Sequence, residues 1–157
     1  MNKTNAMRLL DAAGIRYEPK EYEVDESDLS GMHLCTQIGL EPQMVYKTLV
    51  LTGDKLKYFV VCIPVCDEID LKKAASITGN KKVEMVHVKD LLKITGYIRG
   101  GCSPVGMKKK FPTFFSQKVK DMDLITVSAG IRGIQLLLNA AQLVDYVEAQ
   151  CCDITKD

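Results

Sequence analysis

The chain is poor in histidine and nearly free of net charge. Its two histidines, His33 and His87, lie far apart in 157 residues, and 21 basic against 20 acidic side chains leave a formal charge of +1. Two histidines so placed give neither zinc-ligand spacing nor a convincing Ser-His-Asp set. Charge balance advertises no partner. A long apolar run is also missing. The longest nearly apolar stretch, "YFVVCIPVC" at residues 58–66, falls far short of the roughly 20 residues a spanning helix needs. The opening "MNKTNAMRLLDAAG" enters an amphipathic pattern with no signal-peptide apolar region, from which a soluble cytoplasmic protein is expected. Neither G-x-G-x-x-G nor a P-loop occurs, so no nucleotide fingerprint is present.

Cysteine is plentiful but unpatterned. Cys35, Cys62, Cys66, Cys102, Cys151 and Cys152 include no C-x-x-C pair, and without a secretory signal they read as free thiols, mostly small core residues. His33-Leu34-Cys35 is the nearest approach to a metal motif. Cys102 alone sits in a glycine-rich loop, where reactivity is worth testing.

Ordinary apolar and charged fractions, 46% and 26%, fit one domain over residues 1–157 with a single core. Ala6, Leu9, Leu10 and Ala13 recur at helical spacing between a Thr4 cap and Gly14. "IRYEPKEYEV" alternates as a half-exposed strand, and "SGMHLCTQIG" reads as a short weak helix. "VYKTLVLTGDKLKYFVVCIPV" is a hairpin turning at Gly53-Asp54. Further on, Asp70 and Gly79 bracket a helix, "KKVEMV" is a strand, and "VKDLLKITG" is a helix stopped by Gly96. "DLITVS" and "IQLLL" are strands around "AGIRG", and Asn139 caps a closing helix. Strands and helices interleave irregularly and without repeats. That favours an α+β domain with a mixed, barrel-like β-sheet and surrounding helices over a doubly wound parallel one.

Three features could carry chemistry. Lys47 lies in "VYKTLVL", where every neighbour is apolar, aromatic or β-branched. Alternation puts Val45, Lys47, Leu49 and Leu51 on one strand face. Such a lysine is either an edge residue whose amine reaches water or a cation in a partly dry pocket. The loop "GGCSP", Gly100 to Pro104, is either an ordinary turn or a place where backbone N–H groups meet a ligand, with the Ser103 hydroxyl beside them. "VSAGIRG", Val127 to Gly133, is either a glycine-assisted hairpin or a second donor loop whose Arg132 grips phosphate. "MKKKFPTFF", with Lys108, Lys109 and Lys110 before aromatics, is either a nucleic-acid contact or a solvated turn followed by a core strand.

Taken in order, "KTNAMRLLD", "VYKTLV", "IDLKKAA", "KKVEM", "TGYIRGGCSPVGMKK" and "VSAGIRG" resemble the YbaK/EbsC family of Cys-tRNA(Pro) deacylases. That family is homologous to the editing domain of bacterial prolyl-tRNA synthetases. The likeness runs from about Lys3 to Ile154. It implies a single α+β editing domain that removes cysteine from proline tRNA, with no metal or organic cofactor. It also implies that Lys47 is the essential catalytic lysine and that Tyr22 is a pocket tyrosine. Gly100, Gly101, Ser103 and Pro104 would form one substrate loop, and Ser128 and Gly130 the second. Members often carry Asp two residues after the Arg-Gly, where this chain has Gln135, which keeps hydrogen-bonding capacity but loses the charge that could hold an α-ammonium.

In the family the substrate cysteine's own thiol attacks the ester carbonyl, releasing tRNA and a cyclic thiolactone. The protein then needs only to orient the thiol and stabilise developing charge, which is the work implied for Lys47 and the loop N–H groups. The partner implied is Cys-tRNA(Pro), with prolyl-tRNA synthetase as an associate the family can use, and neither DNA nor a membrane. Two alternatives stay open: a deacylase for alanine, serine or threonine on tRNA, and a non-catalytic module that binds a tRNA 3′ end or a synthetase.

Overall fold

A computed structural model describes residues 2–25, 27–28 and 30–157. Eight strands in two sheets and five α-helices are found among them. Helix α1 (Asn5–Ala12) starts where the Thr4 hydroxyl accepts a hydrogen bond from the Met7 N–H, and it buries Ala6, Met7 and Leu10. Strand β1 (Tyr17–Glu21) pairs antiparallel with β7 (Ile134–Asn139), which pairs in turn with β6 (Leu124–Ser128). Pro19 is tolerated because β1 is an edge strand.

The larger sheet has the order β4 (Val83–Met85), β2 (Tyr46–Gly53), β3 (Tyr58–Pro64), β5 (Thr113–Ser116), β8 (Gln150–Cys152). The β2–β3 hairpin is antiparallel, as is β2–β4, whereas β3–β5 and β5–β8 are parallel. This is the mixed α+β arrangement expected from the sequence. The barrel-like expectation needs correction: among the described residues the two sheets touch through the Val45–Thr126 bridge but do not close into a barrel.

Alternation along β3 and β5 divides the interior in two. Val60, Cys62 and Phe115 face a core shared with α1, β6, β7 and α5 (Ala140–Tyr146), whereas Phe59, Val61, Ile63 and Phe114 face a second core with Ala74 of α3 (Leu71–Thr78). Of the aromatics after the lysine run, Phe114 and Phe115 are thus core residues and Phe111 packs against the core, the plainer of their two readings. Asp70 caps α3 by accepting from Lys73 N–H, and Asn139 caps α5 in the same way from Gln142 N–H. Helix α2 (Gly31–Ile38), capped by Ser30, and α4 (Val88–Thr95) lie toward the cleft described next.

Candidate active site

Where β2 leaves the core, the row of side chains that includes Leu49 and Leu51 continues to Lys47. Leu51 is fully buried in the second core and Leu49 packs against it, but Lys47 is only half-buried. It lines a cleft of about 530 Å³. Among the described residues the Lys47 amine makes no hydrogen bond and no ion pair. A lysine held by a strand at the end of an apolar row, with its amine unpaired among the described residues, offers a donor to whatever enters.

The cleft draws on both sheets. Tyr22 follows β1, tied down by its N–H bonding to Gly133 O at 2.9 Å, while Ser128 and Gln135 are cross-strand partners on β6 and β7. All three line the cleft with Lys47 and Gly100. Gly101, Ser103, Pro104 and Gly130 do not belong to its lining. Ser103 is fully buried, and its hydroxyl accepts from Val105 N–H at 3.2 Å.

The glycines have a local reason. A Cβ on Gly101 would stand 3.2 Å from both the carbonyl carbon and the Cα of Ile131. Gly130, at φ +100°, has a conformation that side chains disfavour, and a Cβ there would lie 3.0 Å from the Tyr97 ring. The two loops are therefore packed on each other, and Arg132 Nε fastens them by donating to Arg99 O at 2.7 Å. Two N–H groups expected to meet substrate are engaged internally: Gly101 N–H bonds to Ile98 O and Gly130 N–H to Ser128 Oγ.

Sequence reasoning missed several residues of the lining. His33, Thr48, Arg99, Asp25 and Asp28 all reach the cleft. Hydrogen bonds from Ser27 hold the Asp25 carboxyl below its usual range, and those from Ser30 do the same for Asp28. His33 owes its place to the docking of α2, whose Gly31 has no room for a Cβ against Val65. Arg99, inside "YIRGG", and Thr48, inside "VYKTLV", lay within the resembling motifs. Cys102 does line the cleft, but burial pushes its thiol up to about 12, which favours the neutral, weakly nucleophilic form. Among the described residues no three of His, Cys, Asp and Glu converge as a metal-binding group, and no helix is long and apolar enough to cross a membrane.

Comparison with known proteins decides the family. The profile of the aminoacyl-tRNA editing domain matches residues 32–146. The chain belongs to the aminoacyl-tRNA editing family and is an enzyme of that class. It is 44% identical, over 98% of its length and 93% of the relative's, to the Enterococcus faecalis protein named "Putative Cys-tRNA(Pro)/Cys-tRNA(Cys) deacylase EbsC". It is 25% identical over 137 residues to the proline–tRNA ligase of Limosilactobacillus fermentum, 79% of this chain against 24% of the ligase. A solved structure described as "a putative trans-editing enzyme for prolyl tRNA synthetase" superposes with a TM-score of 0.84 at 19% identity, covering 100% of both chains, which shows the shared fold.

Proposed function

We propose that this enzyme works in trans, removing cysteine from mischarged Cys-tRNA(Pro). The observation that carries the reading is Lys47, whose amine has no partner among the described residues, inside the cleft of an editing-family chain. The acyl group named for the Enterococcus relative supports cysteine as the side chain removed. Arg99 and Arg132 at the cleft suit the phosphates of a tRNA 3′ end.

The mechanism proposed is cyclisation. The substrate thiol loses its proton and the sulfur attacks the ester carbonyl carbon. The carbon–oxygen ester bond breaks, a thiolactone leaves, and the ribose oxygen takes up a proton to become a hydroxyl. A cysteine thiol titrates near about 8.5, so part of it is ionised at neutral pH without help from a protein base. Lys47 then stabilises negative charge on the carbonyl or departing oxygen. The cytoplasm is the compartment such a substrate requires, and prolyl-tRNA synthetase is the associate proposed.

The test is direct. The purified chain should release cysteine from Cys-tRNA(Pro) and leave correctly charged Pro-tRNA(Pro) intact. Failure to release cysteine, with the tRNA shown to be charged, would overturn the reading.

A further inference from the structure

We infer that Gln135 is a hydrogen-bond donor to an acceptor oxygen of the aminoacyl ester, and that Thr126 fixes it in that role. The inference rests on the editing reading above and concerns how the same cleft handles its substrate. Gln135 is only 4% exposed, yet it belongs to the cleft lining. Its carboxamide has two unlike ends. Oε1 is 3.1 Å from the Thr126 hydroxyl, its diagonal neighbour across β6 and β7.

The direction of that bond settles which end faces the cleft. Thr126 is fully buried, and Gln135 is its hydroxyl's partner. A hydroxyl has one proton. If the amide were turned so that Nε2 donated to Thr126, the threonine proton would lie buried with nothing to accept it. With Oε1 toward Thr126, that proton is satisfied and Nε2 is left over. Nε2 makes no hydrogen bond within the described protein, and it is not sealed in either. The Tyr46 hydroxyl is the one fully buried side-chain polar atom without a partner among the described residues. An unpartnered NH2 group at the wall of a cleft calls for an acceptor.

The consequence is a reversal of polarity. A carboxylate at this position would accept from the substrate's α-ammonium. A neutral amide whose oxygen is turned toward Thr126 presents its NH2 group to the cleft, where an ammonium, itself only a donor, finds no acceptor. The ester carbonyl and ribose oxygens are acceptors, so Gln135 orients the acyl group rather than the amine. Thr126 touches no substrate; it is a positioning residue.

The experiment compares the full chain with Gln135→Glu, Gln135→Met, Thr126→Val and Thr126→Ser. Binding is measured for 3′-cysteinylamido-3′-deoxyadenosine and for its N-acetyl form. Gln135→Met, which removes the donor and adds no charge, should weaken both ligands by a similar factor, roughly tenfold, and Gln135→Glu should weaken the N-acetyl ligand at least as much, since an acceptor then faces an acceptor. Thr126→Val should weaken binding, Thr126→Ser should restore it, and Thr126→Val added to Gln135→Met should cost nothing further. In the unmutated protein, the 15N-resolved side-chain NH2 signals of Gln135 should shift on saturation with the N-acetyl ligand. Loss of affinity for the free-amine ligand alone in Gln135→Met, or NH2 signals that do not move, would overturn the inference. Wild-type release of cysteine from Cys-tRNA(Pro), measured in parallel, tests the functional reading separately. Its absence would sink that reading, while the order of ligand binding among the variants still decides the role of Gln135.

Discussion

Gly101 and Ile131 belong to different loops, yet a Cβ on the first would sit 3.2 Å from the backbone of the second. That is tighter than an ordinary van der Waals contact, and the opposing atoms are main chain, which yields little. The glycine requirement thus arises from packing between loops.

Gly101→Ala should therefore lower stability, by about 1–3 kcal/mol if the strain resembles that of an overpacked core. In a chain of this size the thermal midpoint should fall by roughly 3–10 °C. Activity should suffer too, because the loop carrying Gly100 would be displaced from the cleft. Thermal unfolding and deacylation on one preparation check this. An unchanged midpoint with lost turnover would instead restore the view that Gly101 makes room for substrate.

Lys47→Ala should behave in the opposite way. Its side chain is half-buried and supports no hydrogen bond or ion pair among the described residues, so the fold should tolerate the change. Deacylation should fall by about 10²–10³, the usual effect of removing a donor that stabilises developing negative charge. Lys47→Arg keeps the charge but not the compact ammonium, and it should recover little. Near wild-type turnover by a folded Lys47→Ala protein would end the assignment.

These two residues mark what could be read from the sequence. That Lys47 stands on a strand among apolar neighbours was legible because alternation is local, whereas alternation left open whether its amine reached open water or a pocket. The helix boundaries were legible for the same reason, since Thr4, Asp70 and Asn139 cap within three residues of themselves. The division into two sheets was not. It depends on β1 pairing with β7 across more than a hundred residues and on parallel β5–β8 pairing, for which local periodicity holds no signal. The three-residue β8 went unnoticed entirely. His33 was passed over because its position follows from how α2 docks on Val65. The polarity of Gln135 was hidden because its partner lies on another strand.

Thiol chemistry offers an independent check on the site. Burial pushes the thiols of Cys62 and Cys102 up to about 12, whereas Cys66 is exposed. A raised thiol pKa means the unreactive neutral form persists through neutral and mildly alkaline pH. Iodoacetamide at pH 8 should therefore modify Cys66 first, leave Cys62 and Cys102 untouched until the chain unfolds, and spare deacylation. Mass spectrometry of timed samples reads the order. Rapid alkylation of Cys102, with loss of activity that substrate prevents, would make that thiol a participant.

The mechanism makes the sharpest prediction. If the substrate thiol is the nucleophile, an acyl group lacking it should fail even when it fits. Serine replaces sulfur by oxygen, and its hydroxyl is scarcely ionised at neutral pH; alanine has no nucleophile at all. An enzyme that activates water should clear both, because neither is larger than cysteine, and a pocket separates such small differences only by about ten- to two-hundred-fold. With cysteine, serine and alanine on one tRNA(Pro) body, only the cysteinyl ester should be cleaved. The water-attack route has a candidate base in His33, which lines the cleft, so His33→Asn adds a second reading. Under thiol attack its pH–rate profile should follow the substrate thiol and match that of the unmutated chain. Brisk release of alanine, abolished by His33→Asn, would refute cyclisation and move the enzyme to the branch that clears small amino acids by hydrolysis.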